Sequence, residues 1–463
     1  MITIIVIGID RKIHMAKPHK NYTLCGIKIL SKKLPKNNKL FGCYKCTYWI
    51  KTRIKYMKLD NIKIYAETLE DRALEQFNKA MSLDCNIQGA LMPDAHTGYT
   101  LPIGAVIKSN GIVFPSYVGY DIGCGMCAVK LDITKDCIDL EKLKEHILKT
   151  IPIGFNRHSS PLKLNQDISK VSNILVSYIK STAEYQIGTL GGGNHFIEIG
   201  ESENDKCLWI VIHSGSRGLG HKVASHYMDL ALFENIDTQK LKDEFYIGRK
   251  IFKDRNINAY KIAESKYIET QLKKQVKNKE GHYGFNINSD SGKKYLIDMN
   301  FCLDYALENR KTMIARIYEG IFNQKVCKMD MKHFINRNHN HAELKDNFVI
   351  HRKGATHAEK DMYGVVPGNM VDGSFIVKGK GNPESMCSSS HGAGRVLSRI
   401  KAKETLNLEE FKRQTKHLVA NHSDLNLDEA PEAYKNIFEV MRLQENLVSI
   451  IDRSIPILNI KGN

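Results

Sequence analysis

Six short segments that concentrate His, Cys, Asp and Asn, most of them beside glycine, restrict how this chain can fold. They read MPDAHTG (92–98), YDIGCGMC (120–127), GGGNHFIE (191–198), IHSGSRGLGH (212–221), NHNH (338–341) and SMCSSSHGAGR (385–395). They lie on both sides of a helical, heavily charged insert, so a site that uses them all must be assembled from distant parts of the chain. The sequence therefore predicts one composite α+β domain.

Residue patterns predict the elements along the chain. A short strand at 62–65 precedes a helix that begins near Thr68, with Asp71 three residues on as a variant capping box. Glycine and β-branched residues predict strands and tight turns in 88–133, 188–199, 207–220 and 333–381. Apolar periodicity and helix formers predict helices at 140–150, 168–185, 238–279, 292–324, 408–421 and 433–443, before a final strand at 455–460.

Positive charge is concentrated near the N-terminus. Of the net charge of +17, residues 1–56 contribute +12, from thirteen Lys and Arg against Asp10 alone, which leaves +5 for the other 407 residues. Overall charge is therefore a poor argument for nucleic-acid binding. Because the composition changes at Met57, we expect residues 1–56 to be a basic extension and the functional domain to span 57–463. Cys43 and Cys46 in the extension form a C-x-x-C, but without a second pair nearby two idle thiols are favoured over a zinc site.

Cysteine usage and hydropathy indicate a reducing compartment. The eleven cysteines are an odd number, scattered without the spacing of a disulfide-rich domain and without a secretory signal. The apolar run at 2–9 is far too short to cross a bilayer. With 42% hydrophobic and 26% charged residues, the composition is that of a soluble globular protein. We therefore expect a cytoplasmic protein without a membrane role.

Asp121 and Cys124 form the first candidate metal site. They stand three residues apart in a glycine turn, where a carboxylate and a thiolate can hold one ion, and histidines from separate strands can complete the shell. This mixture of ligands favours Mn, Fe, Co or Zn over Mg or Ca. Two other interpretations stand beside it: Cys124 and Cys127 form a C-x-x-C, which lacks a thioredoxin-like context, and a single histidine is more often a hydrogen-bonded structural residue.

His391 is the candidate nucleophile. It follows three serines and precedes two glycines, in a segment that we expect to be a loop with an approachable backbone, and Arg395 and Arg399 add positive charge nearby. The segment 373–381 is not a P-loop, because it has five residues between its glycines and no Ser or Thr after the lysine. No K-x-D-G motif is present either. Covalent activation of a nucleotide would therefore use His391 rather than lysine.

Nine motifs follow one another in a recognisable order. They are MPDAHTGYTLPIGAV, DIGCG, GTLGGGNHFIE, HSGSRGLGH, HNH at 339–341, HRKGAT, SSSHGAGR, DEAPEAYK and a terminal KG. With them the chain resembles the RtcB RNA ligases from about residue 57 to 462, whereas residues 1–56 have no counterpart. The resemblance implies a composite α+β domain of mixed or antiparallel sheets with a helical insert. It also implies GTP- and manganese-dependent joining of RNA 3′-phosphate or 2′,3′-cyclic phosphate ends to 5′-hydroxyl ends.

The resemblance also implies roles for particular residues. His391 is similar to the histidine that attacks the α-phosphorus of GTP and becomes guanylylated. Two Mn²⁺ ions would share Cys124, one held with Asp121 and His195 and the other with His213 and His339. GTP contacts would come from Asn194, His195, Phe196, Ile197, Glu198, His339, Asn340, Pro367, Gly368, Asn369, Met370, Ser374, His391, Gly392, Ala393, Gly394, Tyr434 and Lys461, and RNA phosphates would be held by Arg217, Arg395 and Arg399.

One departure from the family pattern is Asn369, which stands where a serine is expected and puts that phosphate contact in question. The implied partners are broken or spliced RNA ends, such as those of tRNA, and the family admits an activating helper protein; we expect a monomer. A metal-dependent phosphohydrolase would use the same ligands but has no need of a nucleophilic histidine. A non-catalytic RNA-binding protein would show a basic stripe with interleaved aromatic residues, which the +5 charge of residues 57–463 does not provide.

Overall fold

The computed structural model describes residues 61–235, 238–247, 257–276, 281–323, 334–421 and 424–462. The predicted N-terminal extension, with Cys43 and Cys46, lies outside the described residues, as do parts of the predicted 238–279 helical region. Helices and largely antiparallel sheets build an α+β fold, in agreement with the class predicted from the sequence.

The helices in the described ranges have the following bounds. They are α1 Asp71–Met81, α2 Pro115–Val118, α3 Leu140–Thr150, α4 Asn173–Tyr178, α5 Glu184–Gln186, α6 Gly218–Asn235, α7 Thr238–Ile247, α8 Ile257–Val276, α9 Asp290–Phe322, α10 Arg399–Thr405, α11 Leu408–Gln414 and α12 Ile437–Leu443. None of these helices is both long enough and apolar enough to cross a bilayer.

The strands have the following bounds. They are β1 Ile62–Ile64, β2 Asn86–His96, β3 Ile103–Asn110, β4 Ile112–Val113, β5 Gly125–Leu131, β6 Phe196–Ser202, β7 Leu208–Ser214, β8 Phe285–Asn286, β9 Ile335–Asn338, β10 Asn340–Lys345, β11 Phe348–Lys353, β12 Ala355–His357, β13 Tyr363–Pro367, β14 Ser374–Gly379, β15 Ser388–Ser390, β16 Val419–Ala420 and β17 Val448–Lys461.

Two sheets dominate the fold. The larger sheet has the order β13-β14-β17-β6-β7-β5-β9, with β16 beside β17, and all its pairs are antiparallel except β16 with β17. The smaller sheet has the order β1-β2-β3-β11-β10 and is antiparallel apart from β1 with β2. Two short pairs, β4 with β8 and β12 with β15, complete the pairing in the described ranges.

The central strands of the larger sheet are covered on both faces, which explains their apolar composition. Every residue of β7 is buried. One face packs its isoleucines at 197, 199, 210 and 212 against side chains of α3 and α9. The other face packs Met126, Trp209 and Val211 against Val365 and Ile376. A sheet buried on both faces produces continuous apolar runs such as LWIVI instead of alternation.

Three helix boundaries differ from the sequence prediction. The first helix begins at Asp71 instead of Thr68, and the residue before it, Glu70, forms no side-chain cap. The Glu70 carboxylate accepts hydrogen bonds from the backbone N–H and the hydroxyl of Thr97 instead. The predicted helix 408–421 ends at Gln414, because residues 419–420 form β16 beside β17. The predicted helix 433–443 begins at 437, after the N-cap Asn436, whose side chain accepts from the N–H of Phe438.

The predicted helix 168–185 is also shorter than expected. It begins at Asn173 and is interrupted by a π-helical turn at 179–183. Ser172 stands at its N-terminus, but the N–H and hydroxyl of this serine donate to Asp298 at 3.0 and 2.6 Å, a residue of α9. The final strand begins at Val448 instead of 455, and α6 (218–235) extends beyond the glycine segment in which only strands and turns were predicted.

Asp298 ties α6 to α9, and this contact generates a stability prediction. The Tyr227 hydroxyl donates to Asp298 at 2.7 Å, whereas the hydroxyl of Tyr295, whose ring lies 5.1 Å from that of Tyr227, is buried without a partner among the described residues. Tyr227→Phe should lower the free energy of unfolding by about 1–3 kcal/mol, because a buried acceptor loses a donor. Tyr295→Phe, the matched control, should be neutral or stabilising. Urea unfolding measures both, and equal losses would contradict the prediction.

Candidate active site

The strand order of the larger sheet brings four strand ends to one edge. In the register of β6, β7, β5 and β9, Phe196 faces His213, and Gly125 faces both Ser214 and Asn338. His195, Cys124 and His339 each lie one residue beyond these positions. The N–H of His339 donates to the carbonyl of Cys124 at 2.8 Å, which fixes the position of His339 beside Cys124. The sheet topology therefore gathers ligands that are widely separated in sequence.

The five predicted metal ligands lie together at this edge. Cys124 Sγ is 3.3 Å from His195 Nε2 and 3.1 Å from His213 Nε2. His213 Nε2 is 3.3 Å from His339 Nε2, and His195 Nε2 is 3.7 Å from an oxygen of Asp121. Two groups, Asp121 with Cys124 and His195, and Cys124 with His213 and His339, each have all their ligand atoms within 4.8 Å of one another. Cys124 belongs to both groups.

The histidine rings are oriented by backbone carbonyls. The Nδ1 atom of His195 lies 2.9 Å from the Leu190 carbonyl, and that of His213 lies 3.0 Å from the Asn194 carbonyl. A carbonyl can only accept, so Nδ1 carries the proton in both rings and the Nε2 lone pairs face the cluster. This is the arrangement by which outer hydrogen bonds orient metal-binding imidazoles.

Protonation states also suit metal ligands. Burial, with the neighbouring imidazoles, lowers the pKa of His213 and of His339 well below the usual value, so both rings are neutral. Burial would raise the pKa of Asp121, but its contacts with His195 and Cys124 lower it to about 2. Burial and the Asp121 charge raise the pKa of the Cys124 thiol well above its usual value. A bound cation would replace the thiol proton.

The donor set fits a pair of divalent transition-metal ions. Three imidazoles, one thiol and one carboxylate converge, and the three histidines and Cys124 are buried. One thiol shared by two groups of three suits a bridging thiolate. Nitrogen and sulfur ligands of this kind favour ions such as Mn, Fe, Co or Zn over Ca or Mg. The residues present therefore fit the metals that the sequence predicts.

Arg310, a fully buried residue of α9, connects the segments that carry the ligands. Its guanidinium donates to the carbonyls of Gly123 at 3.0 Å and Ser214 at 2.7 Å, and to the amide oxygens of Asn336 at 2.8 Å and Asn338 at 2.7 Å. These acceptors belong to the Asp121–Cys124 turn, the end of β7 and β9. Arg310 thereby fixes three ligand segments relative to one another.

His391 lies beside the metal cluster and is oriented by Asp94. Its Nδ1 is 2.7 Å from Asp94 Oδ2, which also accepts from the His391 backbone N–H at 3.2 Å. The ring packs edge-on against that of His339, with 4.7 Å between centroids. Because the fully buried carboxylate accepts from Nδ1–H, the lone pair of the neutral ring lies on the other ring nitrogen, Nε2. His391 is thus held in the tautomer that a nucleophile needs.

The segment around His391 is more buried than the sequence suggests. Ser388–Ser390 form β15, paired with β12, and all three serines are fully buried. Two contacts from outside the strand pair reach its polar groups: Arg352 Nε donates to Ser388 Oγ at 2.9 Å, and Ser390 N–H donates to Gln444 at 2.9 Å. The Ser390 hydroxyl is buried without a partner among the described residues. The expectation of a loop holds for 386–387 and 391–394. Gly394 has φ +75°, and a Cβ there would meet the Asp94 carbonyl at 2.4 Å, so glycine is needed for this approach.

A cleft of about 600 Å³ opens beside the cluster. Asp121 and His391 line it, and the side chain of Asp121 is 45% exposed there. Of the other predicted contacts, it is lined by Cys124, Asn194, His339, Asn340, Arg395 and Arg399. Asn340 connects two loops of the cleft, because its amide donates to the Asp121 carbonyl at 3.2 Å and accepts from the Gly354 N–H at 2.9 Å.

Other predicted GTP contacts lie outside the lining of this cleft, around the buried carboxylate of Glu429. Its oxygens are contacted by the Tyr434 hydroxyl and by Lys461 Nζ at 3.4 Å, and Lys461 lies over the Phe196 ring at 4.7 Å. Glu198, two residues after Phe196, is also buried, and its carboxylate accepts a hydrogen bond from the Ser454 hydroxyl at 2.9 Å. Burial raises the pKa of Glu198 to about 7, despite contacts with Ser454 and Lys461 that lower it. Phe196, Ile197, Met370 and Ser374 are also buried.

The turn 367–373 uses the unusual Asn369 to close on itself. The Asn369 side chain accepts from the N–H groups of Val371 at 2.8 Å and Asp372 at 2.9 Å, and donates to the Asp372 carboxylate at 2.7 Å. The Pro367 carbonyl accepts from the Ala393 N–H at 2.9 Å, which joins this turn to the His391 loop, where Gly392 also approaches Pro367. Gly368 and Met370 complete the turn. The asparagine therefore has a local role that a serine would fill with fewer contacts.

The three arginines predicted to hold RNA phosphates differ in environment. Arg395 and Arg399 line the cleft but pair with acids: Arg395 with Glu429 at 3.2 Å, and Arg399 with Glu429 at 2.8 Å and Asp428 at 2.5 Å. Arg217 does not line the cleft; it has φ +57° and donates to Thr189 and to the Gly154 carbonyl at 3.1 and 3.2 Å. The structure brings two of the three to the cleft.

A third acid and histidine group, Glu343, His357 and Glu359, lies apart from this cluster. Buried Arg352 supplies its positive charge, because one guanidinium nitrogen is 2.8 Å from Glu343 and another is 3.8 Å from Glu359. His357 Nδ1 is 2.8 Å from Glu359. An internal cation therefore already compensates this group.

Sequence reasoning did not single out three residues of the site: Asp94, Arg310 and Glu429. Asp94 stands in the MPDAH motif and Glu429 in the DEAPEAYK motif, so both were visible as members of a chemistry-bearing segment without a role. Arg310 lies in a helix with an apolar stripe, where an arginine is expected to face solvent. The signal that could have singled out Arg310 was its position, as a charged residue, on the apolar face of the predicted helix.

These contacts bring five potential metal ligands together beside a histidine that a buried carboxylate orients. Comparison with known proteins identifies the family. A family model described as tRNA-splicing ligase RtcB matches residues 76–180 and 170–462. The chain is 33% identical over 402 residues to the RNA-splicing ligase RtcB of Escherichia coli (strain K12), across 81% of this chain and 90% of the relative.

Archaeal relatives give the same result. The chain is 28% identical to the tRNA-splicing ligase RtcB of Nanoarchaeum equitans, across 86% of this chain and 94% of the relative. It is also 28% identical to the tRNA-splicing ligase RtcB of Methanococcus maripaludis, across 81% of this chain and 88% of the relative. The chain therefore belongs to the RtcB family, as its motifs predict.

The buried thiol generates a prediction about metal binding. Binding of Mn²⁺ should release about one proton per protein and weaken as the pH is lowered, because the Cys124 thiol must ionise to bind. Cys124→Ala should abolish this proton release and reduce affinity by at least about tenfold. Cys127, equally buried but on the face packed against the core, is the matched control. Calorimetry in two buffers of different ionisation enthalpy measures the protons, and unchanged release in Cys124→Ala would contradict the assignment.

Proposed function

We propose that this protein is an RNA ligase that joins RNA 3′-phosphate or 2′,3′-cyclic phosphate ends to 5′-hydroxyl ends, with GTP as the activating nucleotide and His391 as the nucleophile. The observation that carries the proposal is the pair Asp94 and His391, in which a buried carboxylate holds Nδ1–H at 2.7 Å beside a cluster of metal ligands. Membership in a family whose relatives are named RNA-splicing and tRNA-splicing ligases supports the RNA substrate.

The first step is transfer of GMP to His391. Nε2 attacks the α-phosphorus, the bond to the β-phosphate oxygen breaks, and pyrophosphate leaves. The ring then carries a positive charge, since Nδ1 keeps its proton, and the Asp94 carboxylate 2.7 Å away neutralises it. Burial of that carboxylate strengthens the interaction. A histidine is suited to this role because imidazole is nucleophilic at neutral pH without prior deprotonation.

Asp121, Cys124, His195, His213 and His339 would hold two Mn²⁺ ions. When bound, such ions polarise the α-phosphate and neutralise negative charge as pyrophosphate departs. The protein contributes the fixed geometry of the ligands through the carbonyl contacts of the histidines and through Arg310. The neutral rings of His213 and His339 need no proton release to bind, so the Cys124 thiol is the group that must lose a proton when a metal binds.

Two transfers follow from the guanylylated histidine. An oxygen of the RNA 3′-phosphate attacks the phosphorus of the histidine-bound GMP, the N–P bond breaks, and neutral His391 is restored. The RNA end then carries a diphosphate linked to guanosine. The 5′-hydroxyl attacks the RNA phosphorus of this anhydride and GMP leaves, which forms the new phosphodiester. Water would first open a cyclic phosphate in the same cleft. Arg395 and Arg399, which line the cleft, would hold RNA phosphates after exchange from Glu429 and Asp428.

Buried Glu198 would select guanine. Guanine presents two adjacent donors, N1–H and the exocyclic amine, and an ionised carboxylate accepts both. Adenine presents a lone pair at N1, which a carboxylate repels. Tyr434 and Lys461 would complete the nucleotide site, together with Asn194 and the backbone of 367–370 and 392–394.

The substrates we propose are broken or spliced RNA ends such as those of tRNA, in the cytoplasm. We propose that the enzyme acts as a monomer, and the family admits an activating helper protein.

The experiment that tests the proposal is incubation with GTP labelled at the α-phosphorus and Mn²⁺, followed by denaturing electrophoresis. The wild-type protein should acquire a label that acid removes and alkali does not, as expected of a phosphorus–nitrogen bond. His391→Ala should carry none, whereas His417→Ala, which alters an exposed histidine outside the site, should be labelled normally. Label retained in His391→Ala would overturn the assignment. A folded, metal-bound wild type without label would indicate a metal-dependent phosphohydrolase.

Asp94→Asn tests the orientation of the nucleophile. Asparagine has the shape of aspartate without its charge, so the positive ring of guanylylated His391 loses its neutralising partner. GMP transfer should slow by a factor on the order of 10²–10⁴, while Mn²⁺ affinity stays close to that of the wild type. Single-turnover labelling measures the rate and calorimetry the metal. An unchanged rate would show that Asp94 does not act on His391.

Glu198→Gln tests guanine selection and its pH dependence. Because the pKa of Glu198 is about 7, the fraction ionised rises between pH 6 and pH 8, and the KM for GTP should fall over that range. Glutamine places a donor against a donor, so Glu198→Gln should raise the KM by about 10- to 100-fold and remove the pH dependence. ITP, which lacks the exocyclic amine, should bind the wild type more weakly than GTP does. Equal discrimination in Glu198→Gln would exclude this role.

A further inference from the structure

A tyrosine stands exposed at the mouth of the cleft on a turn that polar contacts hold firmly. Tyr99 is 67% exposed, although it is a large aromatic residue. Gln76 of α1 donates to the Gly98 carbonyl at 2.8 Å and to the Tyr99 carbonyl, and accepts from the Gly98 N–H at 3.1 Å. Glu70 accepts from the Thr97 N–H at 3.1 Å. Gln76 of α1 and Glu70, the residue before that helix, therefore fix the backbone that presents the ring.

The turn is also tight in a way that requires glycine. A Cβ at Gly98 would meet the Leu101 carbonyl at 2.2 Å. The chain thus bends at residues 99–101, and the Tyr99 side chain projects from the turn instead of packing beneath it. When a ligand covers an aromatic ring on an ordered turn, little backbone entropy is lost, because the backbone is already fixed.

Tyr99 is part of an aromatic group that reaches the metal ligands. Its ring lies edge-to-face with that of Tyr120, at 6.2 Å and 89°. The Tyr120 ring stacks on that of His221, at 4.9 Å and 21°. Tyr120 immediately precedes the ligand Asp121, and Tyr99, Tyr120 and Asp121 all line the cleft that contains His391. The exposed ring is therefore connected to the site by direct packing.

We propose that Tyr99 is a binding residue that stacks on a nucleobase of the RNA strand entering the cleft; this rests on the RNA ligase function proposed above. Every base has a flat π face, so an aromatic ring binds RNA ends regardless of sequence, which a ligase for broken ends requires. Lys353, whose Nζ donates to the Ser116 carbonyl at 3.3 Å, lines the same cleft and adds a positive charge for the phosphate backbone of the RNA. The guanine of GTP is the other base in the reaction. The residues assigned to it, Glu198, Tyr434 and Lys461, do not line this cleft.

The test compares RNA joining with GMP transfer in Tyr99→Ala, Tyr99→Phe and Tyr99→Leu. Loss of the ring should raise the KM for RNA by about 10- to 100-fold. Phenylalanine should restore the wild-type KM, whereas leucine, which fills apolar space without a π face, should not. The KM for GTP in GMP transfer without RNA should stay within about twofold of the wild type. Tyr363→Ala, which removes an exposed tyrosine outside the cleft, is the matched control.

Abasic RNA identifies the partner of the ring. In the wild type, removal of the base that contacts Tyr99 should raise the KM, and Tyr99→Ala should show no further loss on that substrate. Abasic nucleotides are placed near the 3′-phosphate end or near the 5′-hydroxyl end in separate substrates, and coupling to either one supports the inference. The inference is overturned if the KM losses from Tyr99→Ala and from the abasic nucleotide add on both substrates, or if Tyr99→Leu restores the wild-type KM. A rise in the KM for GTP instead would assign the ring to guanine. A wild type without GMP transfer would refute the proposed function itself, so the two failures are distinguishable.

Discussion

The buried guanidinium of Arg310 is the contact on which the geometry of the site depends. Its side chain is fully buried, and all four of its acceptors are neutral oxygens on the segments that carry the metal ligands. Arginine cannot escape the cost of burial by losing its proton, so each donor must find an acceptor. The turn at 121–124, the end of β7 and β9 are therefore held around one point, and a shift of any of them would leave a buried donor unpaired.

The same charge shapes the chemistry of the cluster. Burial and Asp121 raise the pKa of the Cys124 thiol, and the positive charge of Arg310 acts in the opposite direction. Around that thiol the rings of His213 and His339 are neutral, and the Nδ1–H groups of His195 and His213 are directed outward to carbonyls. The interior of the cluster thus contains lone pairs and one ionisable proton. A metal that binds this set would take the place of the thiol proton, so we expect metal binding and thiol ionisation to occur together.

How far the sequence predicts this molecule depends on the range of the interactions. Helix α3 is predicted to the residue, because its apolar face and its cap, Asp139, are local in sequence. The start of α4 is missed because Ser172 bonds Asp298, which is 126 residues away. The site follows the same rule. The predicted metal ligands lie mostly in glycine-rich segments, so their residue types single them out as candidates. The role we propose for Asp94 arises from its contact with His391, 297 residues further on, and no local pattern marks it.

The two sides of the cleft are built by different means, and this difference suits the reaction. The side with the metal ligands consists of adjacent strand ends in a sheet covered on both faces, so its geometry is set by the core. The mouth consists of the turn at 97–99 and the segment at 395–399, each held by polar side-chain contacts. Phosphoryl chemistry requires atoms placed within a fraction of an ångström, which a packed sheet provides. The RNA ends that we propose as substrates vary in sequence and shape. Surfaces that recognise charge and π faces suit such ends better, because their contacts tolerate variation.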